Sequence, residues 1–588
     1  MNLLTEKWIP VVTASDERKL VTPSEITADM GTAQELIAVS AVRPDLTAAM
    51  TEFLIGLFQT ALPPDSRKEW SVELSEPPSP SAIDQALSDF TQVFNLDGHA
   101  ERFMQDLTIE NRSEREADDN RFASVSTLLL NAPGESEHTT SRHVDFFIKR
   151  GLIKQICLPC AAQALYTHQA FCGPGGVGYQ SSLRGGGHVS TLVIGQNLWQ
   201  TIWYNVLPSN EFLSLGNKSC TQLAEKFPWM ARTVISNFGA TVTAEHVHPL
   251  ALYWAMPRRV RLIIEEVPVP VVCDLCGETS TRVARSINRK NRGADYRGPW
   301  RHPLSPTIEV IAKAKPTDEN DDISASDPHE PVDQTSPRVT SRVLMWQLDG
   351  LIYQDWVGLL YGHKSALGRE IPAPAVQNLI AFASSSGMTL DHPRLWAFGY
   401  KRAQGMEMDA WYEATVPVVL ADPFMLPTFI RTVSGFIETA KVVGFSTLIA
   451  VKTALSRTTV TKTLDGVKIF RSRKGKDFKT LTTITQSQFW HETEQDFFSA
   501  VAEVYDLLHA GEKIDATAEK WLARLKQEGL SRYRQTVENV MTGHDDMLHV
   551  LTARRDLGRI LNSQKYRDML SLPKRPKKVV EPEAKGAE

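Results

Sequence analysis

Cysteine is scarce: six residues in 588, too few for the disulfide framework that staples small secreted domains. No stretch of about 18 uninterrupted apolar residues occurs, which argues against a membrane-spanning helix. The opening residues, Met1 to Val11, hold no apolar run long enough for a signal peptide. These absences read as a cytoplasmic chain with no membrane partner. A dominant charge is missing too. The net charge is −5 and the pI near 6.3, so nothing global announces a nucleic-acid partner, and any such role rests on local patches. The motifs GxxxxGK[ST], HExxH and GxSxG are all absent.

What is present is ordinary for a globular protein: 42% hydrophobic and 23% charged residues. The length exceeds the size at which one core stops growing, so two or more domains are expected. Up to about residue 420 the chain mixes helical runs (Thr47 to Leu62) with strands (Leu192 to Gly195, Val260 to Val267) and glycine-rich loops. Within it, residues 315–337 are acidic and poor in large apolar side chains. They read as a flexible surface loop, with an acidic interaction segment as the rival reading. From about Pro423, residues 424–455, 488–509, 516–540 and 545–562 place apolar side chains at three- and four-residue spacing. The expectation is an α+β fold. A large mixed N-terminal domain (1–420) precedes a C-terminal four-helix bundle (421–572), and a charged tail (573–588) is disordered.

The sharpest local signal is a pair of C-x-x-C knuckles, Cys157/Cys160 and Cys273/Cys276. A two-residue spacer lets both thiolates of a knuckle reach one ion, and four thiolates complete a tetrahedral, structural zinc site with no open position. Buried thiols, or one redox pair and one accident, are the rival. Cys172 and Cys220 stand alone and read as packing residues. Gly173-Pro-Gly175-Gly176-Val-Gly178 matches G-x-G-x-x-G, but a helix precedes it and a second glycine-rich loop follows, so the dinucleotide context fails. Glycines this dense still let the backbone approach a partner closely with bare amides available. Around the second knuckle lies a basic run, Arg282, Arg285, Arg289, Lys290, Arg292, Arg297 and Arg301, with Tyr296 and Trp300 interleaved. It reads either as a solvated face or as a phosphate-contacting patch. A second basic stretch, Lys468 to Lys479, joins the first two C-terminal helices and reads as a mobile loop, with a grip on a nucleic-acid backbone as the alternative.

Taken together, these residues resemble the large-subunit family of the type I-E CRISPR Cascade complex, the CasA family. The resemblance is carried by Asn2-Leu-Leu with Trp8-Ile-Pro-Val11, the first knuckle, the glycine loop, Leu183-Arg-Gly-Gly186, the second knuckle followed by Trp300-Arg-His-Pro303, and the helical C-terminus. It spans nearly the whole chain. It implies a subunit without catalytic residues that recognises the protospacer-adjacent motif in double-stranded DNA, largely from the minor groove. Such a subunit starts unwinding for CRISPR RNA pairing and recruits a helicase-nuclease. The implied partners are the other Cascade subunits, CRISPR RNA, target DNA and that helicase-nuclease. A zinc-containing nucleic-acid-processing enzyme is the alternative, and a nucleotide-binding protein a third reading.

Residue by residue, the resemblance places the family's glycine loop on Gly173, Gly175, Gly176 and Gly178, with Pro174 and Val177 departing from a uniform glycine run. Its lysine finger falls on Lys290, with Arg289 and Arg292 as alternatives, and its glutamine wedge on Gln404 beside Ala403. The loop that docks the subunit onto the RNA-bearing body falls at 142–150. There Phe146 or Phe147 would stack on a base of the CRISPR RNA 5′ end, and Lys149 and Arg150 would hold phosphates. The C-terminal helices would pack on the small Cascade subunits and guide the displaced strand.

Overall fold

The computed structural model describes residues 1–109, 122–133, 141, 149–176, 178–312, 338–345, 352–365, 368–386, 390, 393–402, 408–462, 468–472, 476–541 and 547–574. The fold is mixed α+β. It divides into two compact units, Met1–Leu351 with Gly358–Val419, and Ile352–Val357 with Leu420–Glu588.

The first unit is organised around α1 (Pro44–Ala61), whose residues from Leu46 to Thr60 are nearly all buried. A helix apolar on every side has no solvent face and must sit inside. Phe53 lies at its centre, edge-on to Trp8 at 5.2 Å, Phe103 at 5.9 Å, Tyr166 at 5.4 Å and Trp254 at 5.6 Å. Edge-to-face pairs satisfy the ring quadrupoles, and full burial of one such ring is worth about 1.5–3 kcal/mol. Trp8 also donates its indole N–H to the Leu3 carbonyl at 2.7 Å, so the N-terminal motif is core rather than site. Two charges on α1 are buried with partners. Asp45 accepts from Tyr400 and pairs with Arg43, and Glu52 pairs with Arg184.

Strands β1 (Ile9–Thr13), β2 (Arg18–Val21) and β3 (Leu36–Val39) form a small antiparallel sheet in the order β2-β1-β3. The proline-rich stretch that follows α1 contains two short helices, α2 (Arg67–Ser75) and α3 (Pro80–Ser88). Their serine N-caps, Ser66 and Ser79, accept from backbone N–H groups of the first turn.

A second sheet combines β4 (Phe122–Ser124), β5 (Ile156–Cys157) and the long hairpin β7 (Arg259–Val272) and β8 (Thr279–Lys290). Helix α4 (Leu158–Phe171) continues directly from β5. Strand β6 (Ser190–Ile194) instead pairs with Arg394–Arg402, which pairs in turn with Met408–Pro417. A four-stranded antiparallel sheet of Thr307–Ala312, Arg338–Val343, His363–Ser365 and Gly368–Ile371 completes the unit's sheets among the described residues. The acidic loop 315–337 lies outside the described residues, as do residues 575–588 of the charged tail.

The second unit holds four long helices, α5 (Leu426–Ala454), α6 (Lys476–His509), α7 (Asp515–Val540) and α8 (Met547–Leu561). By length and composition α5 is apolar enough to cross a membrane, although no run of 18 apolar residues signals it; its apolar stripe, Phe429 to Val451, is buried within the unit. Two glycines mark the closest crossings. A Cβ on Gly444 would meet the Phe489 ring at 3.1 Å, and one on Gly529 would meet Thr447 Oγ1 at 2.8 Å. On α8 the buried stripe is Val550, Ala553, Leu557 and Leu561, while Leu551 and Ile560 are exposed.

Residues Ile352–Val357, inside the 1–420 span of the expected first domain, pack with these helices: Tyr353 stacks on Phe497 at 4.3 Å and bonds Thr493. The linker expected to be a loop around Lys468 contains a strand pair, Arg457–Lys462 with Lys468–Ser472, and α6 begins at Lys476, before the expected start at 488. The β-branched run Thr458-Thr-Val-Thr461 explains the first strand, since such residues favour the extended backbone.

Candidate metal centre and nucleic-acid interface

The two cysteine knuckles meet. Cys157 ends β5 and serves as N-cap of α4, which puts Cys160 on the helix's first turn. Cys273 and Cys276 occupy the turn joining β7 to β8. There Gly277 takes φ +79°, a conformation suited to glycine, and donates to the Cys273 carbonyl at 2.9 Å. Ladder pairing of Cys157 with Val283 brings the knuckles side by side. Asp274 fastens the join: its carboxylate accepts the N–H groups of Lys154 and Gln155 at 2.7 and 2.9 Å.

All four sulfurs lie within 4.8 Å of one another, with Cys157 and Cys276 at 3.7 Å, and none is in a disulfide. Tetrahedral zinc with Zn–S near ~2.3 Å spaces its sulfurs by roughly 3.8 Å. Hydrogen bonds from Cys157 and Cys160 hold the Cys273 thiol far below its ordinary value, while contacts with Cys157 and Cys273, and then burial, push Cys160 up. Crowded, buried thiols of this kind ionise together only around a cation, so the donor set fits zinc. Among the described residues this is the one cluster of three or more His, Cys, Asp or Glu donors that converge in this way. Cys172 and Cys220 are buried elsewhere.

From the knuckle, α4 runs to the glycine loop at its other end. The loop follows a helix rather than a strand, as the failed dinucleotide context requires. Gly175 donates to the Tyr179 carbonyl at 3.2 Å, and Tyr179 to that of Gly176 at 2.9 Å, closing a tight turn. Gly178 adopts φ +78°, and a Cβ there would sit 3.1 Å from the Arg292 nitrogen. A Cβ on Gly186, in the second glycine-rich loop, would come within 2.5 Å of the Gly173 Cα, so the two loops pack backbone to backbone. Gly176 is different: it is exposed, and nothing lies within 4 Å of its Cβ position. Val177 is outside the described residues.

The basic run splits along the β7–β8 register, in which Val260 opposes Arg289 and Arg259 opposes Lys290. Alternation sends neighbouring side chains to opposite faces. On one face Arg259 pairs with Asp106 at 2.5 Å and Lys290 donates to the Thr108 carbonyl at 3.3 Å. On the other, the guanidinium groups of Arg258 and Arg289 lie over the Tyr179 ring at 5.2 and 5.6 Å. Lys290 and Arg289 therefore serve different surroundings despite being adjacent. Arg292 caps the end of the hairpin with φ +59°. It is exposed, bonds Asn237 at 2.9 Å and donates its backbone N–H to Gly178.

Other members of the run are paired off: Arg282 with Asp97, Arg285 with Glu265 and Arg297 with Asp295. The interleaved aromatics are structural. Trp300 is buried in an apolar cluster with Leu183 and Leu252, and the Tyr296 hydroxyl accepts the Met256 N–H at 2.9 Å. Sequence reasoning missed Arg258 and Tyr179. Neither sits in a motif, and only the hairpin register brings them to the loop.

Gln404 and Ala403 fall outside the described residues, at the connection between paired strands Arg394–Arg402 and Met408–Pro417. Phe146 and Phe147 also fall outside. Lys149, exposed, and Arg150, half-buried, lie on the approach to β5. A separate cleft of about 690 Å³, lined by Arg43, Thr47, Ile194, Trp396 and Glu413 among others, contains none of the residues singled out by sequence.

Residues 2–531 match the model of the family described as CRISPR-associated protein Cse1. Among solved structures, Thermobifida fusca Cse1 is similar at 15% identity and TM-score 0.65, covering 97% of this chain and 98% of that one. Thermus thermophilus CasA (Cse1) is similar at 16% identity and TM-score 0.61, covering 95% and 99%. A chain of a CRISPR RNA-guided surveillance complex matches at 15% identity and TM-score 0.62, covering 96% and 99%. At these identities the structural likeness is one of fold. The family match extends over nearly the whole chain: it belongs to the Cse1 (CasA) family of CRISPR-associated proteins.

Proposed function

We propose that the chain is the large subunit of a type I-E Cascade surveillance complex, that it recognises the protospacer-adjacent motif in duplex DNA and starts strand separation for CRISPR RNA pairing. Family membership supports the complex, and one relative of the same fold is a chain of a CRISPR RNA-guided surveillance complex. The observation that favours DNA reading is the junction of the glycine loop with the basic hairpin end. There an exposed glycine backbone lies beside three cations, Arg258, Arg289 and Arg292, of which only Arg292 is exposed. Bare backbone fits a narrow groove where a side chain would collide, and cations beside it meet acceptors or phosphates.

In this reading Gly173 to Gly178 lie along the minor groove, and Lys290, Arg289 or Arg292 supplies the finger. Gln404, with Ala403 beside it, enters between base pairs, its amide standing in for broken base hydrogen bonds. Residues 142–150 dock on the CRISPR RNA 5′ end through Phe146 or Phe147, Lys149 and Arg150. The four long helices act as a bundle on the small subunits, and the subunit recruits the helicase-nuclease. One zinc held by Cys157, Cys160, Cys273 and Cys276 would supply a structural crosslink; four thiolates leave no open position, which counts against the zinc-enzyme alternative.

The test is binding of motif-bearing and motif-free duplexes by the complex reconstituted with CRISPR RNA. A preference that is lost in Gln404→Ala and weakened in Lys290→Ala, with assembly intact, supports the reading. Equal affinity for both duplexes overturns it, and metal-dependent DNA cleavage by the purified chain would favour the enzyme alternative.

A further inference from the structure

The cleft of about 690 Å³ lies within the first unit, between two of its sheets. One wall is β3, an edge strand of the β2-β1-β3 sheet. The other belongs to the sheet of β6, Arg394–Arg402 and Met408–Pro417. Its register sets Trp396 opposite Thr415 and Phe398 opposite Glu413, and two-residue alternation turns all four side chains to one face. Of these, Trp396, Thr415 and Glu413 line the cleft, and the start of α1 adds Thr47.

Strand β3 brings unused backbone to this cleft. The Ser40 N–H donates to the Pro10 carbonyl at 2.8 Å, which makes Val39 and Val11 a non-hydrogen-bonded pair of the ladder. The N–H and C=O of Val39 therefore point away from β1, and among the described residues nothing meets them. Val39 is buried, and buried backbone groups are normally paired. Two residues on, the chain satisfies the same need internally, with the Ala41 N–H donating to Thr47 Oγ1 at 3.1 Å. From Ile37 to Val42 the chain carries neither charge nor proline, two common guards of an open edge. Glu413 gives the opposite wall its sign. It is exposed, no cation pairs with it among the described residues, and its carboxylate accepts the Trp411 indole N–H at 3.3 Å. Arg43, the cation in the lining, is already held by Asp45 at 2.9 Å.

We infer that this cleft takes an extended segment of a partner protein, which adds a strand to β3 at Val39 and sets a lysine or arginine against Glu413. In strand addition the main-chain bonds supply affinity, and side chains at alternate positions supply selectivity. Here the selective groups are the Trp396 indole, which takes an apolar side chain, and the free carboxylate, which takes a cation. The inference uses no residue of the glycine loop or the basic hairpin, so it stands apart from the DNA-reading function proposed above.

The experiment selects binders from a phage-displayed library of random peptides on the full-length chain, with Glu413→Lys as the counter-target. Enriched peptides should share a proline-free stretch carrying a basic residue. The best of them, made synthetically, should bind Glu413→Lys at least ~10-fold more weakly than the wild-type chain. Its binding should slow hydrogen exchange at the Val39 amide by at least ~10-fold, the mark of a new backbone bond. Val39→Pro removes that N–H without taking a bond from the β1 ladder, and should weaken the peptide by a similar factor. Should Val39→Pro fail to fold, the exposed Glu413→Lys and the exchange measurement decide by themselves. Peptides that bind wild type and Glu413→Lys equally, or that leave Val39 exchange unchanged, would overturn the site, as would a library that yields no binder. Dimerisation of the free chain that Val39→Pro abolishes would assign the edge to a second copy of this chain and overturn the partner.

Discussion

The backbone N–H of Arg292 donates to the carbonyl of Gly178 at 2.6 Å, joining the end of the β7–β8 hairpin to the glycine loop. Both residues hold positive φ, +59° and +78°, so the join is made by two left-handed turns facing each other. The cysteine cluster lies at the opposite end of α4 from this junction. Hydrogen bonds therefore fix the glycine loop against the basic segment locally, and a metal at the cysteines anchors only the far ends of the same two elements.

Arg292 separates stability from binding. A non-glycine residue in the left-handed region costs about 1–2 kcal/mol, so Arg292→Gly is expected to leave the melting temperature unchanged or raise it. Affinity for motif-bearing duplex should still fall, because the exposed cation is gone. Arg292→Pro, which lacks the N–H, should lower both. Calorimetry with parallel duplex binding checks the pair.

Three histidines set an acid limit on the first unit. Burial holds His168 down at about 3, with Arg258 adding repulsion, and drives His188 and His302 well below the ordinary 6.5. Each stays neutral when folded but gains a proton when unfolded, so its contribution is complete above pH 6.5 and is lost as pH falls towards the folded value. Each costs about 1.4 kcal/mol per pH unit in that window. Urea midpoints should drop steeply from pH 6.5 to 5 and stay flat from 7 to 8. A flat response through the acid range would contradict the burial.

Helix glycines in the second unit should respond with opposite signs. Gly444→Ala and Gly529→Ala push a methyl into Phe489 and Thr447, and overpacking of this kind costs about 1–3 kcal/mol. On α8, Gly558 has nothing within 4 Å of its Cβ position, so Gly558→Ala should gain up to ~1 kcal/mol from helix propensity alone. Denaturant midpoints of the three variants decide it.

For the cysteine cluster, elemental analysis of the purified chain should find one zinc. Cys276→Ser should lose the metal and part of the stability, typical structural zinc being tightly coupled to folding. Asp274→Ala should loosen the same corner with the metal retained, since its carboxylate holds Lys154 and Gln155 rather than an ion. A metal-free chain of undiminished stability would remove the zinc.

Much of this was legible in the sequence where one residue type has one main use. Paired C-x-x-C knuckles converge, and dense glycine becomes close backbone packing. The apolar spacing of 488–509 becomes α6, with Trp490, Phe497, Val501 and Val504 buried. What escaped depends on register and tertiary context. That Lys290 and Arg289 part company follows only from pairing Arg259 with Lys290. Tyr296 and Trp300 are interleaved in the basic run in sequence, but an apolar cluster claims them. Tyr353 and Trp356 join the helices because their rings fill that core, which no local pattern announces.

The central claim, that the glycine loop lies against duplex DNA, is tested most directly at Gly176. Its Cβ position is open, so Gly176→Ala should not disturb the free chain, and any loss of binding comes from what docks there. The measurement is the affinity of the reconstituted complex for motif-bearing duplex, alongside the melting temperature of the variant. The expected result is an unchanged melting temperature and at least a tenfold loss of affinity, about 1.4 kcal/mol. Wild-type affinity in a normally folded Gly176→Ala complex would contradict it.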